Sequence, residues 1–153
     1  MRDAFGGTFM LKLLLIFFVV FISFMTLAAS YAKIFRVKNG VIDILETYKF
    51  DINNQSDINT ILNGHVDNYL KNMAYNTSSN ITVIDNCKNK GGILSGRGVC
   101  VSDSTIGDKN NYHVYTVTVY LTVNLPFFGY SAVMPISGEY QNYNTQEKTK
   151  ISK

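Results

Sequence analysis

Twenty consecutive residues, Leu13 to Ala32 (LLLIFFVVFISFMTLAASYA), carry no charge, and this run constrains the chain more than any other feature. At about 1.5 Å rise per residue, a helix of that length covers roughly 30 Å, the hydrocarbon thickness of a bilayer. Such a run is insoluble unless lipid or an assembly buries it. Its length suits a permanent transmembrane anchor better than the apolar core of a cleaved signal, which runs to roughly 7–15 residues. A cleaved signal and a secreted product stay open as an alternative, because Ser30-Tyr31-Ala32 places small residues where a signal peptidase could cut. The long apolar core, and the positive charges of Lys33, Arg36 and Lys38 just after the site, weigh against it.

Charge is informative by location. The net charge is +3, yet Arg2, Lys12, Lys33, Arg36 and Lys38 flank the apolar run. Beyond Lys38 the acidic residues slightly outnumber the basic ones, so no basic face remains to neutralise phosphates and nucleic acid is not an expected partner. The flanking charges read instead as contacts to lipid headgroups or as topology information. Three positive residues follow the run and two precede it, a bias that on its own places the C-terminal side in the cytoplasm.

Two cysteines pull the other way. Cys87 and Cys100 read as a disulfide if the domain is exported, closing a loop of about 14 residues worth roughly 3 kcal/mol in the chain-entropy model. Unpaired thiols in a cytosolic protein are the competing reading. No CxxC is present, and His65 and His113 stand alone, so no metal or cofactor is expected.

The remaining patterns give an α+β domain. Ile34, Val37, Val41, Ile42, Leu45 and Tyr48 recur at spacings of three and four, extending the apolar helix into a stem from about Thr8 to Lys49, with a possible bend at Gly40. Ser56 is a candidate N-cap for a second helix carrying Ile58, Leu62, Val66, Tyr69 and Met73. Residues 76–80 read as a loop and 81–84 as a short β-branched strand. The glycine-rich segment between the cysteines reads as a flexible loop, and a strand-like patch starts at Cys100. From Tyr112 to Leu125 the chain alternates with period two. Tyr115, Val117, Val119, Leu121, Val123 and Leu125 point toward a core, and Thr116, Thr118, Tyr120, Thr122 and Asn124 toward solvent. Pro126 to Gly129 supplies a turn, and Tyr130 to Tyr140 returns as a partner strand. Pro135 confines that strand to an edge or a bulge. The division expected is a leader or cytoplasmic end (1–7), a membrane and stem helix (8–49), an extracytoplasmic domain (50–141) and a polar tail (142–153).

No catalytic constellation accompanies these elements. Neither histidine has a nucleophile elbow, HExxH or paired carboxylates beside it, so the chain does not read as an enzyme. The stretch Gly91 to Gly98 lacks the Lys-Ser/Thr ending of a phosphate-binding loop. The stretch Asp103 to Asn111 offers oxygen ligands without the spacing of a calcium loop. The Asn-x-Ser/Thr triplets at Asn54, Asn76 and Asn80 indicate exposed segments. Ten tyrosines and no tryptophan suggest an adhesive or subunit-packing surface, with Tyr120, Tyr140 and Tyr143 on the solvent side or edge.

Before the apolar run, Met1-Arg-Asp-Ala-Phe-Gly6-Gly7 is a short polar leader ending in Gly-Gly, followed by Thr8. This layout resembles the leader and stem of type IV pilin-like proteins. The late segment YTVTVYLTVNLPFFGYSAVMPISGEY resembles the C-terminal hairpin of TadE-like pseudopilins of bacterial tight-adherence pilus systems. Lys12 stands where family members usually carry Glu, at the fifth position after a cut at Gly7. The resemblance covers about residues 6–49 and 112–140. It implies peptidase cleavage between Gly7 and Thr8, a pilin-like fold with the head outside the cell membrane, and a structural role beside other pilin-like subunits or assembly proteins. Ala28, Ala29 and Ser30 are the small residues that permit close helix packing in lipid. A membrane-tethered binding or adhesion module using the Cys87–Cys100 loop is the rival from a different class.

Overall fold

The computed structural model describes residues 2–77, 79–104, 112–125 and 130–143. Helix α1 runs unbroken from Arg2 to Thr47, through Gly6-Gly7 and through Gly40. Its second half uses the predicted stripe: Ile34, Val37, Val41 and Leu45 are buried and Ile42 is half-buried. Tyr48, at the end of the stripe, stays outside and stacks on His65, with ring centroids 4.4 Å apart. The helix continues through Gly40 without a break, and the glycine makes room for a neighbour. A Cβ at residue 40 would overlap the tip of the Tyr69 ring, so the glycine lets that ring seat against α1 in its present position.

That second region comprises α2 (Gln55–Asp57), a π-helical stretch (Ile58–Val66) and α3 (Asp67–Asn72). Its cap is Asn54 rather than Ser56: the Asn54 side chain accepts a hydrogen bond from the Ser56 backbone N–H at 3.0 Å. The wider π turn shifts the phase of the apolar stripe. Ile61, Leu62, Val66 and Leu70 are therefore the buried residues, while Ile58, Tyr69 and Met73 pack at the margin.

Both α1 and α3 end the same way. Lys49 (φ 51°) and Ala74 (φ 49°) take the left-handed conformation. The next residue's N–H then bonds back over a turn, Phe50 to Leu45 and Tyr75 to Leu70. This six-to-one closure turns Phe50 and Tyr75 inward, and both are buried.

Residues 81–84, expected as a strand, open helix α4 (Ile81–Asn89) instead. Asn80 caps it by accepting from the Thr82 N–H at 3.0 Å. Val83 and Cys87, four apart, form its buried stripe. Local β propensity yields here because one helical face meets an uncovered sheet.

The sheet has four antiparallel strands in the order β1 (Ile93–Leu94), β2 (Cys100–Asp103), β3 (Tyr112–Leu125) and β4 (Tyr130–Tyr143). The β3–β4 register is continuous from Tyr112↔Tyr143 to Leu125↔Tyr130. β4 is an edge strand, and Pro135 sits in it opposite Tyr120 without a bulge. The reason is local. Both backbone polar groups of Tyr120 turn away from β4 toward the Tyr75 hydroxyl, so this is a non-hydrogen-bonded pair and the proline forfeits no ladder bond.

The domain is α+β with three layers. α1 and the 55–72 region cover one sheet face through Tyr115, Val117, Val119, Leu121 and Tyr140. α4 covers part of the other, so Thr118 (0% exposed) and Tyr120 (1%) are buried, against the expectation of a solvated face. Tyr140 is also buried, leaving neither Tyr120 nor Tyr140 for an adhesive surface; the Tyr143 side chain lies outside the described residues. So do the whole turn 126–129, most of the 103–111 stretch and all of the tail from 144.

Candidate functional site

The first half of α1 exposes its large apolar side chains. From Phe9 (66% exposed) through Phe24 (68%), its large apolar side chains face outward on every side. The helix is long and apolar enough to cross a membrane, by length and composition. Fully burying side chains of this kind contributes roughly 1.5–3 kcal/mol each, so the run gains on the order of 20 kcal/mol by leaving water. Where the apolar run stops, interfacial residue types begin. Tyr31, Lys33, Phe35, Arg36 and Lys38 follow within two turns, and the Lys38 ammonium lies 4.4 Å from the Phe35 ring centroid.

Two clefts flank this border. An open groove of about 740 Å³ lies beside α1, lined among others by Tyr31, Phe35, Arg36, Asp43 and Tyr69. The Tyr69 hydroxyl donates to the Arg36 carbonyl at 3.3 Å. A smaller pocket of about 210 Å³ lies under the head, where Ser30, Lys33 and Ile34 meet Tyr75, Leu121 and Thr122. Of the three small residues expected to permit helix packing, Ala28 and Ala29 are exposed and Ser30 turns partly toward this pocket. Gly7 and Thr8 are exposed on the helix, and a Cβ at Gly7 would meet nothing within 4 Å, so packing does not demand glycine there.

Cys87 and Cys100 form a disulfide, with Cα atoms 5.6 Å apart. It joins the end of α4 to the start of β2 and anchors a second small core with Val83 and Tyr120. Gly92 lies against both sulfurs, and a Cβ there would come within 2.6 Å of the Cys100 Sγ. The enclosed segment is folded rather than a flexible loop. It holds β1 and a turn in which the Ser95 N–H bonds the Val99 carbonyl at 2.8 Å, with Gly98 at φ 89°.

Tyr75 is a residue that sequence patterns did not single out. Its hydroxyl accepts from the Tyr120 N–H at 3.0 Å, reaches the Tyr120 carbonyl at 3.4 Å and pairs with the Thr77 hydroxyl at 3.2 Å. Arg97 donates to the Tyr75 carbonyl at 3.4 Å, and the Arg97 carbonyl accepts from the Thr77 N–H at 2.9 Å. One side chain therefore ties the end of α3, the β1–β2 turn and the middle of β3. Nothing local in the sequence marks it, since its partners lie 22 and 45 residues away.

Burial pushes the Tyr75 hydroxyl above the ordinary tyrosine value, partly offset by its bonds to Thr77 and Tyr120. Burial and then the neighbouring Asp51 carboxylate push Tyr115 up, and burial dominates at Tyr140 as well. The Tyr115 hydroxyl donates to Asp51 at 3.1 Å, and the Tyr140 hydroxyl donates to the Phe50 carbonyl at 2.8 Å. These bonds fix the sheet to the far end of α1.

The two histidines occupy separate settings. His65 stacks on Tyr48, and the His113 Nδ1 lies 3.3 Å from an Asp103 carboxylate oxygen at the sheet margin. Among the described residues no three His, Cys, Asp or Glu side chains are grouped to hold a metal ion. Asn54 and Asn80, read as exposed triplet positions, act as helix caps. No protein-family model, curated protein or solved structure matches this chain.

Proposed function

We propose that this chain is a single-pass membrane-anchored structural subunit or assembly component of pseudopilin type, with its head outside the cytoplasm. The observation that carries the reading is the division of labour along one helix. From Phe9 to Phe24 the large apolar side chains of α1 are exposed, while the second half of the helix is the spine of a small α+β head. A rod of that kind can pack sideways with copies or with related stems while the heads project. Inside lipid the driving force for such packing is van der Waals contact between close backbones, which Ala28 and Ala29 permit. The placement of the head rests on the disulfide, a bond that persists in oxidising compartments, and this outweighs the three positive residues after the run. The glycine at position 7, free of packing demands, supports processing of the leader before Thr8.

The test is lateral association of the full chain in lipid. Replacing Ala28, Ala29 and Ser30 with Leu should abolish self-association, measured by crosslinking in native membranes, while carbonate-resistant insertion persists. Intact mass of the native protein should show a chain beginning at Thr8. A chain that inserts, starts at Met1 and crosslinks to nothing would reduce the reading to a plain anchor.

A further inference from the structure

The axial register of the head along α1 sets how far its sheet reaches down the helix. Three contacts locate β3 and its partner along α1. The Tyr115 hydroxyl reaches Asp51, beyond the C-terminus of the helix. Gly138, opposite Val117, lies against Lys38 and Ile42. Leu121 and Thr122 share a pocket with Ser30, Lys33 and Ile34. Moving along β3 from 117 to 121 thus moves the neighbouring α1 position from about 40 to about 32. Four strand residues span about 13 Å and eight helical residues about 12 Å, so the hairpin runs nearly parallel to the helix axis. Leu27 packing against the core is consistent with that slope.

The hairpin does not stop at Leu121. β3 continues to Leu125 and β4 begins at Tyr130, so the same slope brings this end of the sheet level with about Phe24. Phe24 lies inside the apolar run, about 12 Å before its end at Ala32. The sequence is fitted to that position: no Asp, Glu, Lys or Arg occurs between Lys109 and Glu139. Depth is limited by the backbone. Among the described residues β4 is an edge strand, and its outward-facing N–H and C=O groups exclude it from the hydrocarbon interior. The headgroup layer and the outermost acyl region accept both an uncharged segment and a hydrated strand edge. The apolar helix can slide to accommodate this, because Phe9, Met10 and Leu11 extend its exposed apolar surface past Lys12, whose long side chain snorkels.

We infer that the 121–125 and 130–134 end of the β3–β4 hairpin is a lipid-contacting surface that seats in the headgroup layer of the same membrane that α1 crosses. The head is then held at two points, a helix and a hairpin end, instead of swinging on a single stem. This rests on the anchor reading for α1, and the experiment separates the two.

Single cysteines placed by Phe18→Cys, Thr122→Cys, Ser131→Cys and Asn53→Cys in the full chain, with the native disulfide intact, would carry an environment-sensitive fluorophore. The labelled proteins would be reconstituted in phosphatidylcholine–phosphatidylglycerol vesicles. Nitroxides attached at shallow and deep positions on the lipid, and a water-soluble quencher, report depth. The expected result is deep quenching at Phe18, shallow lipid quenching with blue-shifted emission at Ser131, a weaker version at Thr122, and aqueous quenching alone at Asn53. Aqueous quenching alone at both Ser131 and Thr122, with Phe18 still deep, overturns the hairpin contact and leaves the anchor standing. Shielding of both hairpin probes from lipid and water alike also overturns it, since protein then covers that end. Absence of lipid quenching at Phe18 removes the anchor and the hairpin contact together.

Discussion

Tyr75→Phe deletes a single buried oxygen and tests whether the Tyr75 hydroxyl holds the layers of the head together. The ring remains, so apolar burial changes little, and the loss is polar. The Tyr120 N–H, 3.0 Å from that hydroxyl, has no strand partner on its side and becomes a buried donor without an acceptor. Such a group costs about 1–3 kcal/mol. The Thr77 hydroxyl loses one bond but keeps the Gly98 carbonyl at 3.2 Å, so its share is smaller. The expected destabilisation is about 2 kcal/mol, a drop of several degrees in Tm for a head of this size. The assay is urea unfolding of the full chain in detergent micelles, followed by the near-ultraviolet dichroism of its tyrosines, since the chain has no tryptophan. Tyr31→Phe, at a residue more than half exposed, is the neutral control. Thr77→Val combined with Tyr75→Phe should cost less than the two changes summed, because they share one network. A destabilisation below about 0.5 kcal/mol would refute the reasoning, since that is the range of ordinary surface changes.

Cys100→Ser should lower the stability of the head by about 3 kcal/mol under oxidising conditions, and a reducing agent should bring the unaltered chain to the same midpoint. Leu45→Ala removes a fully buried contact between α1 and the sheet and should cost about 2–5 kcal/mol, read from the same urea midpoint, with membrane insertion unaffected. Alkaline pH should destabilise the head. Tyr75, Tyr115 and Tyr140 have folded pKa values raised above the unfolded value of about 10, so the native state holds more protons, and stability is full below that pH and falls above it. Unfolding midpoints measured from pH 8 to 11 should stay level at first and then decline, and Tyr115→Phe should flatten the decline.

Much of this architecture was readable from local pattern, because the features concerned depend on near neighbours. The charge-free run, the three-four stripe from Ile34 to Leu45 and the alternation from Tyr115 to Leu121 each report one element facing one environment. Periodicity encodes that directly. The cysteines, too, were legible as a pair. Structure departs from local pattern where a second partner is invisible in one dimension. Ile81 to Ile84 reads as a strand by β-branching, yet the uncovered sheet face and the bond from Cys87 to Cys100 make it a helix. The available signal was Asn80 as a cap, with Val83 and Cys87 four apart. Thr118 and Tyr120 read as solvent-facing yet are buried, because alternation tells two faces apart but not whether the polar one is covered.

What the sequence alone determined is therefore the kind of molecule: a rod with an apolar half, joined to a small α+β head. Tertiary structure decided which side of the sheet is wet, why Gly40 is glycine, which hydroxyl joins α3 to β3, and how far the hairpin reaches along the helix. The division has a physical cause. Hydrophobic periodicity is a property of neighbours a few residues apart, and the chain carries it wherever it goes. The burial of Tyr120, the reach of Tyr75 and the axial level of Leu125 depend on surfaces brought together from tens of residues away, and exist only once the layers have met.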